Sequence, residues 1–134
     1  MKIPFIEDMG MEKHDDGFLY LSFNQKLLNH IGTVHASAQF MLAETQSGFY
    51  LESMFPEYIG KIVPLLRSST VKYKHPATKD IYAVATVSKE ALEKFESTFL
   101  KKGRAIIGVN VEVRESDEVV TMIGDFVWFV SKIK

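Results

Sequence analysis

The chain contains no cysteine. That excludes a disulfide framework, a thiolate nucleophile and a cysteine metal site, and nothing points to an oxidising compartment. No apolar run approaches the length needed to cross a bilayer. The segment from Met1 to Asp16 carries acidic residues and no long apolar core, unlike a secretory signal. A cytoplasmic protein without membrane insertion is the expectation. An excess of one charge is also lacking. Sixteen Lys and Arg against seventeen Asp and Glu leave a formal net charge of −1, so no global field recruits nucleic acid or an anionic membrane. Internal repeats, low-complexity tracts, long linkers and a Gly-rich phosphate loop are all missing. His14, His30, His35 and His75 have no metal-ligand spacing with carboxylates, so no metal is expected. No Ser-His-Asp arrangement is legible either.

What is present is an ordinary globular composition, 46% hydrophobic and 25% charged, in a length that suits one domain with a real core. The expected organisation is a single domain over 1–134, with 1–16 as an N-terminal arm. Aromatic-rich residues 17–24 predict a strand, and a polar loop runs from Gln25 to Val34. Residues 36–55 predict the main helix, stopped by Pro56. Lys61–His75 predicts a long strand with an irregularity near Pro64, and Ile81–Val87 a second. Ala91–Phe99 predicts a short helix or an excursion. Arg104–Glu115 alternates, with Ala105, Ile107, Val109, Val111 and Val113 on one face. Val119–Ser131 predicts the last strand, with Gly124 as a bend or bulge. Phe126, Trp128 and Phe129 are expected to pack against the helix or a partner. The order is strand, helix, then four strands. It predicts an α+β domain whose antiparallel sheet curves around one helix.

Within that helix, Gln39, Gln46 and Ser53 recur every seven residues and predict a polar face. Glu44 points nearly opposite, among Phe40, Met41, Gly48, Leu51 and Phe55. A carboxylate on an apolar stripe is costly to desolvate, and burial raises its pKa toward that of a useful base. The alternative is a glutamate that reaches solvent or pairs with a lysine. At the start of the helix, unpaired N–H groups could receive an oxyanion, although every helix start has them.

The run Asn29, Gly32, His35-Ala36-Ser37 and then Glu44, nine residues past the histidine, resembles a pattern of the hotdog-fold thioesterases. Specifically, it resembles the phenylacetate-pathway (PaaI-type) and 4-hydroxybenzoyl-CoA enzymes. Leu42-Ala43-Glu44-Thr45, Ser69 to Tyr73 with Pro76-Ala77, and Gly103-Arg104 resemble further steps of the family, over roughly residues 17–131. The resemblance implies a hotdog fold and hydrolysis of an acyl-CoA to a carboxylic acid and free CoA, with no cofactor. Glu44 would be base or nucleophile, and the Ala36 N–H would polarise the thioester carbonyl. Asn29 and His35 would orient the thioester or the water. Gly32, Ser37, Ser47 and Gly48 fall on the substrate side, and Arg104 is the candidate for the CoA phosphates. Lys72, Lys74, Lys101 and Lys102 are weaker candidates, for each of which a solvated charged edge is the better reading. Gly48 stands where the family often has a polar residue, which opens the pocket; a small residue at a close helix–sheet contact is the other reading. Ala36 and Ser37 replace two family glycines. The N–H donor survives, but a Cβ now narrows the approach. This departure favours a rival function, an acyl-CoA or acyl-carrier-protein binder with little turnover. A hydratase of the same fold would need an Asp/His pair at the helix start, which is not seen. Finally, eight residues at about 1.5 Å each separate Ala36 and Glu44 by about 12 Å along the helix. One carbonyl can meet both only across a two-fold axis, so a homodimer is expected, with a dimer of dimers left open.

Overall fold

A computed structural model of the chain describes residues 3–133. Of the expected N-terminal arm, Met1 and Lys2 lie outside the described residues. The rest of it is a single helical turn, α1 (Pro4–Glu7), and a two-residue strand, β1 (Glu12–Lys13). Then follow β2 (Leu19–Leu21), α2 (Ala36–Met54), β3 (Ile62–Tyr73), β4 (Ile81–Thr86), α3 (Lys89–Lys102), β5 (Arg104–Glu115) and β6 (Val120–Lys132). The strands form one antiparallel sheet in the order β1-β2-β4-β5-β6-β3. The architecture is α+β, a curved sheet around one long helix, as the alternation and the helical run predict.

Period-two burial of Ile81, Ala83 and Ala85 in β4 and of Ala105 to Val113 in β5 gives the sheet one apolar face, and α2 lies on it. Small side chains at Ala83, Ala85 and Ala105 let the helix approach closely. The register of β3 on β6 shifts between Leu66 and Ser68, and that of β5 on β6 between Val113 and Arg114. Such bulges increase twist and bend the sheet around the helix.

Four local expectations need correction. The strand expected over 17–24 is only Leu19–Leu21, because the Asp80 carboxylate takes the Phe23 N–H and Asn24 caps a 3-10 turn instead. The irregularity expected near Pro64 falls at Leu66/Ser68. Gly124 is not a bulge: it pairs in register with both Val71 and Val111. A Cβ there would stand 2.9 Å from the Phe126 ring and 3.0 Å from Val71, so glycine is needed for close packing. The largest correction concerns the expected polar face of α2. Gln39 and Gln46 are buried against the sheet. Gln46 Oε1 accepts from the Leu19 N–H at 2.8 Å, and Gln39 Oε1 from the Thr121 hydroxyl at 2.6 Å. A buried amide is tolerated when its polar atoms are paired, and these pairs fix the register of helix on sheet.

The segment 91–99 is part of a full helix. In α3, Ser88 caps the start by accepting from the Ala91 N–H, and Gly103 ends it in the left-handed region at φ 73°. Phe95 and Phe99 are buried and meet Phe55 and Tyr58 beyond the C-terminal end of α2.

Candidate active site

The loop before α2 is held by its own bonds. The His35 N–H donates to the Leu27 carbonyl and the Val34 N–H to the Ala77 carbonyl. Asn29 braces the loop: its Oδ1 accepts from the Ile31 and Thr33 N–H groups, and its Nδ2 donates to the Thr33 hydroxyl at 2.8 Å. Gly32 supplies the left-handed turn at φ 82°.

His35 is the N-cap of α2. Its Nδ1 accepts from the Ser37 N–H at 2.9 Å, so in the neutral ring the proton sits on Nε2. The Ala38 and Gln39 N–H groups donate to the His35 carbonyl. The cap therefore consumes every donor of the first turn except one. Among the described residues the Ala36 N–H has no hydrogen-bond partner. The Ala36 carbonyl also accepts from the Tyr73 hydroxyl at 3.1 Å, which ties the end of β3 to this turn.

Two turns further on stands Glu44, half-buried. Burial alone pushes its carboxyl above the ordinary glutamate range, and no neighbouring charge contributes. Glu44, His35, Ala36 and Ser37 line one cavity of about 850 Å³, with Lys26, Thr45 and Tyr73. Its other walls are apolar: Ile3, Phe5, Ile6 and Met9 from the N-terminal segment, Leu27 and Leu28 from the loop, and Ala38, Phe40 and Met41 from α2. Such a cavity holds a partly desolvated carboxylate and an unpaired N–H donor at different points of its wall, two turns of α2 apart. A base and an oxyanion donor are the two groups that acyl transfer requires.

The other candidates lie elsewhere. Asn29 borders a separate, open depression with Thr33, Gln39 and His75, and Ala36 and Tyr73 border both spaces. Ser47 is buried: its Oγ donates to the Glu44 carbonyl at 2.6 Å and accepts from Trp128 Nε1 at 2.9 Å. Gly48 lies against Trp128, whose ring would stand 3.3 Å from a Cβ. Both are positioned as helix–sheet contacts. Arg104 is exposed at the start of β5, paired with Ser131 and away from the cavity. The helix 89–102 does not reach the cavity either. Conversely, sequence reasoning missed Lys26, Tyr73 and the N-terminal wall. For the last a signal existed, since Ile3, Ile6 and Met9 recur every third residue. Among the described residues, no three His, Asp or Glu side chains converge as metal ligands, and no helix is long and apolar enough to cross a membrane.

Known proteins of similar fold can be set beside this geometry. A Pseudomonas aeruginosa protein of unknown function, named a probable thioesterase, is 21% identical over 98% of this chain and 89% of its own, with a TM-score of 0.83. A Bacillus halodurans protein solved with CoA is 18% identical over 97% of this chain and 77% of its own, with a TM-score of 0.75. A Haemophilus influenzae thioesterase is 12% identical over 96% of this chain and 82% of its own, with a TM-score of 0.74. No curated protein matches the chain. A family model described as a domain of unknown function, DUF4442, matches residues 13–130. The chain therefore belongs to the DUF4442 family and carries the hotdog fold of its thioesterase-named structural neighbours.

Proposed function

We propose that this protein hydrolyses an acyl-CoA thioester to a carboxylic acid and free CoA. The observation that carries the reading is the pairing, in one apolar cavity, of a carboxylate raised by burial with an unpaired N–H at a helix start. Glu44 takes a proton from water as its oxygen bonds to the thioester carbonyl carbon. The Ala36 N–H stabilises the resulting oxyanion. The C–S bond then breaks, and the CoA thiolate leaves and takes up a proton. Direct attack by the Glu44 carboxylate, followed by hydrolysis of the anhydride, uses the same groups. His35 holds the helix start in place, and Lys26 on the cavity wall is a cation available to CoA phosphates. The names of the neighbours, thioesterase in two cases and CoA-bound in another, support this chemistry.

The reading requires a dimer. Ala36 and Glu44 border the same cavity but lie about 12 Å apart along α2. Two antiparallel copies of α2 would set Glu44 of one against the Ala36 N–H of the other. The twelve-residue strand β3 supports this, because it ends the sheet with one side unpaired and can continue the sheet into a second copy.

The test is free-thiol release from short, long and aromatic acyl-CoAs, with wild type beside Glu44→Ala. Wild-type turnover that falls at least about 100-fold in the variant is expected. A second reading, a CoA-thioester binder without turnover, is favoured by the Cβ atoms of Ala36 and Ser37. It predicts no thiol release and an affinity that Glu44→Ala leaves intact.

A further inference from the structure

The N-terminal segment is more apolar than its light contact with the fold requires: Ile6 and Met9 touch the core only in part, and Phe5 not at all. α1 is only four residues long, lacks a side-chain cap and buries none of its residues. Phe5 is 70% exposed. A single turn of this kind has little stability of its own. Yet Ile3, Phe5, Ile6 and Met9 all turn toward the cavity, where they face Phe40 and Met41 of α2. A contiguous apolar surface bordering an open cavity is a candidate binding surface.

We infer that Ile3–Met9 is the wall that grips the acyl chain, and that the substrate is an unsubstituted aliphatic acyl thioester whose length this segment sets. The inference rests on the hydrolytic reading for the thioester but not for the chain. Three observations carry it. First, about 850 Å³ is far more than a two-carbon acyl group needs, and it falls in the range that receives whole small ligands. Second, three of the four wall residues, Ile3, Ile6 and Met9, are branched or flexible side chains, and with Met41 of α2 facing them they mould to a mobile chain better than to a rigid ring. Third, it offers nothing to a polar substituent. None of the four residues from the N-terminal segment has a side-chain hydrogen-bonding group; the nearby Thr45, on α2 and not on this wall, already spends its one proton on the Met41 carbonyl at 2.7 Å. A hydroxyl carried to this wall would lose water without gaining a partner, a penalty of roughly ten- to a hundredfold in affinity.

The experiment uses the full chain, Phe5→Ala and Met9→Trp. It measures kcat/KM for saturated acyl-CoAs from acetyl to palmitoyl, with 4-hydroxybenzoyl-CoA alongside. Calorimetry gives the Kd of the matching S-alkyl-CoA thioethers, which cannot be hydrolysed. In wild type both readouts should improve by about fourfold per methylene until the cavity is full. Met9→Trp should lower the long-to-short ratio by at least tenfold and move the optimum to shorter chains; Phe5→Ala should lower it severalfold. If no thioester turns over but thioether affinity still grows with length and drops in Met9→Trp, hydrolysis is refuted and this inference stands. A flat length dependence in wild type, a ratio that neither substitution changes, or a preference for the hydroxylated aromatic overturns it, whether or not the protein is an enzyme.

Discussion

The two halves of α2 are covered in opposite ways. At its C-terminal end, Phe95 and Phe99 of α3 meet Phe55 and Tyr58 just beyond the helix, and the space left beside Leu51 is about 10 Å³. Over its N-terminal half, a single uncapped turn stands off from Phe40, Met41 and Glu44, and about 850 Å³ stays open. Both covers are apolar, so hydrophobicity alone does not explain the difference. α3 is long, capped at both ends and complementary in charge to its dipole, with Glu90 in its first turn and Lys101 and Lys102 in its last. It is built to close a core. The N-terminal segment leaves a space open to solvent instead, and Glu44, half-buried on its wall with no charge partner among the described residues, costs stability when ionised.

The contrast can be broken first at the sealed end. Phe99→Ala removes a side chain that is 1% exposed, and it should lower unfolding stability by about 3–5 kcal/mol in a denaturant titration. Kinetics per folded molecule should change little, because α3 does not reach the cavity.

At the open end the balance should reverse. Glu44→Gln should lower kcat/KM at least about 100-fold while raising Tm. Because burial raises the Glu44 pKa, the folded state holds that proton more tightly than the unfolded chain does. The stability this lends is fully present below the unfolded value, about pH 4, and is lost as pH rises through the higher folded value. The Tm gain of Glu44→Gln should therefore be absent near pH 4 and present at pH 7.5. The same shift places the acid limb of the wild-type pH–rate profile above the ordinary glutamate range. A limb at or below that range would contradict Glu44 as the base.

Smaller effects sharpen the comparison. His35→Ala removes the cap of α2 and should cost about 1 kcal/mol, with kcat falling more than KM rises because the Ala36 N–H loses its fixed direction. Phe5→Ala should change stability by no more than about 0.5 kcal/mol, since the ring is mostly in solvent. A large loss would mean that the segment belongs to the core after all.

Much of this could be anticipated from local pattern. The limits of α2, the alternation from Ala105 to Val113 and the isolation of Glu44 among apolar neighbours are properties of residues close together in the chain. Turn geometry and period are enough to express them. The curved sheet on one helix followed from their order.

What the tertiary structure decided involves residues far apart. The helical period marked Gln39 and Gln46 as a polar face, yet both point into the core, because Thr121 and the Leu19 N–H wait there to pair with them. Ser47 and Gly48 carried a plausible substrate role until Trp128, some eighty positions later, was seen to pack against both. Asn29 fitted a catalytic pattern, but its amide is turned inward to brace its own loop, with Oδ1 on two loop N–H groups and Nδ2 on Thr33, and it borders a separate depression. The N-terminal segment, expected as an arm, lines one wall of the cavity, because the three-residue recurrence of Ile3, Ile6 and Met9 has meaning only once α2 lies opposite. A side chain's polarity is fixed by its covalent chemistry, whereas the cost of burying it depends on the partner it meets, and only the folded chain supplies that partner.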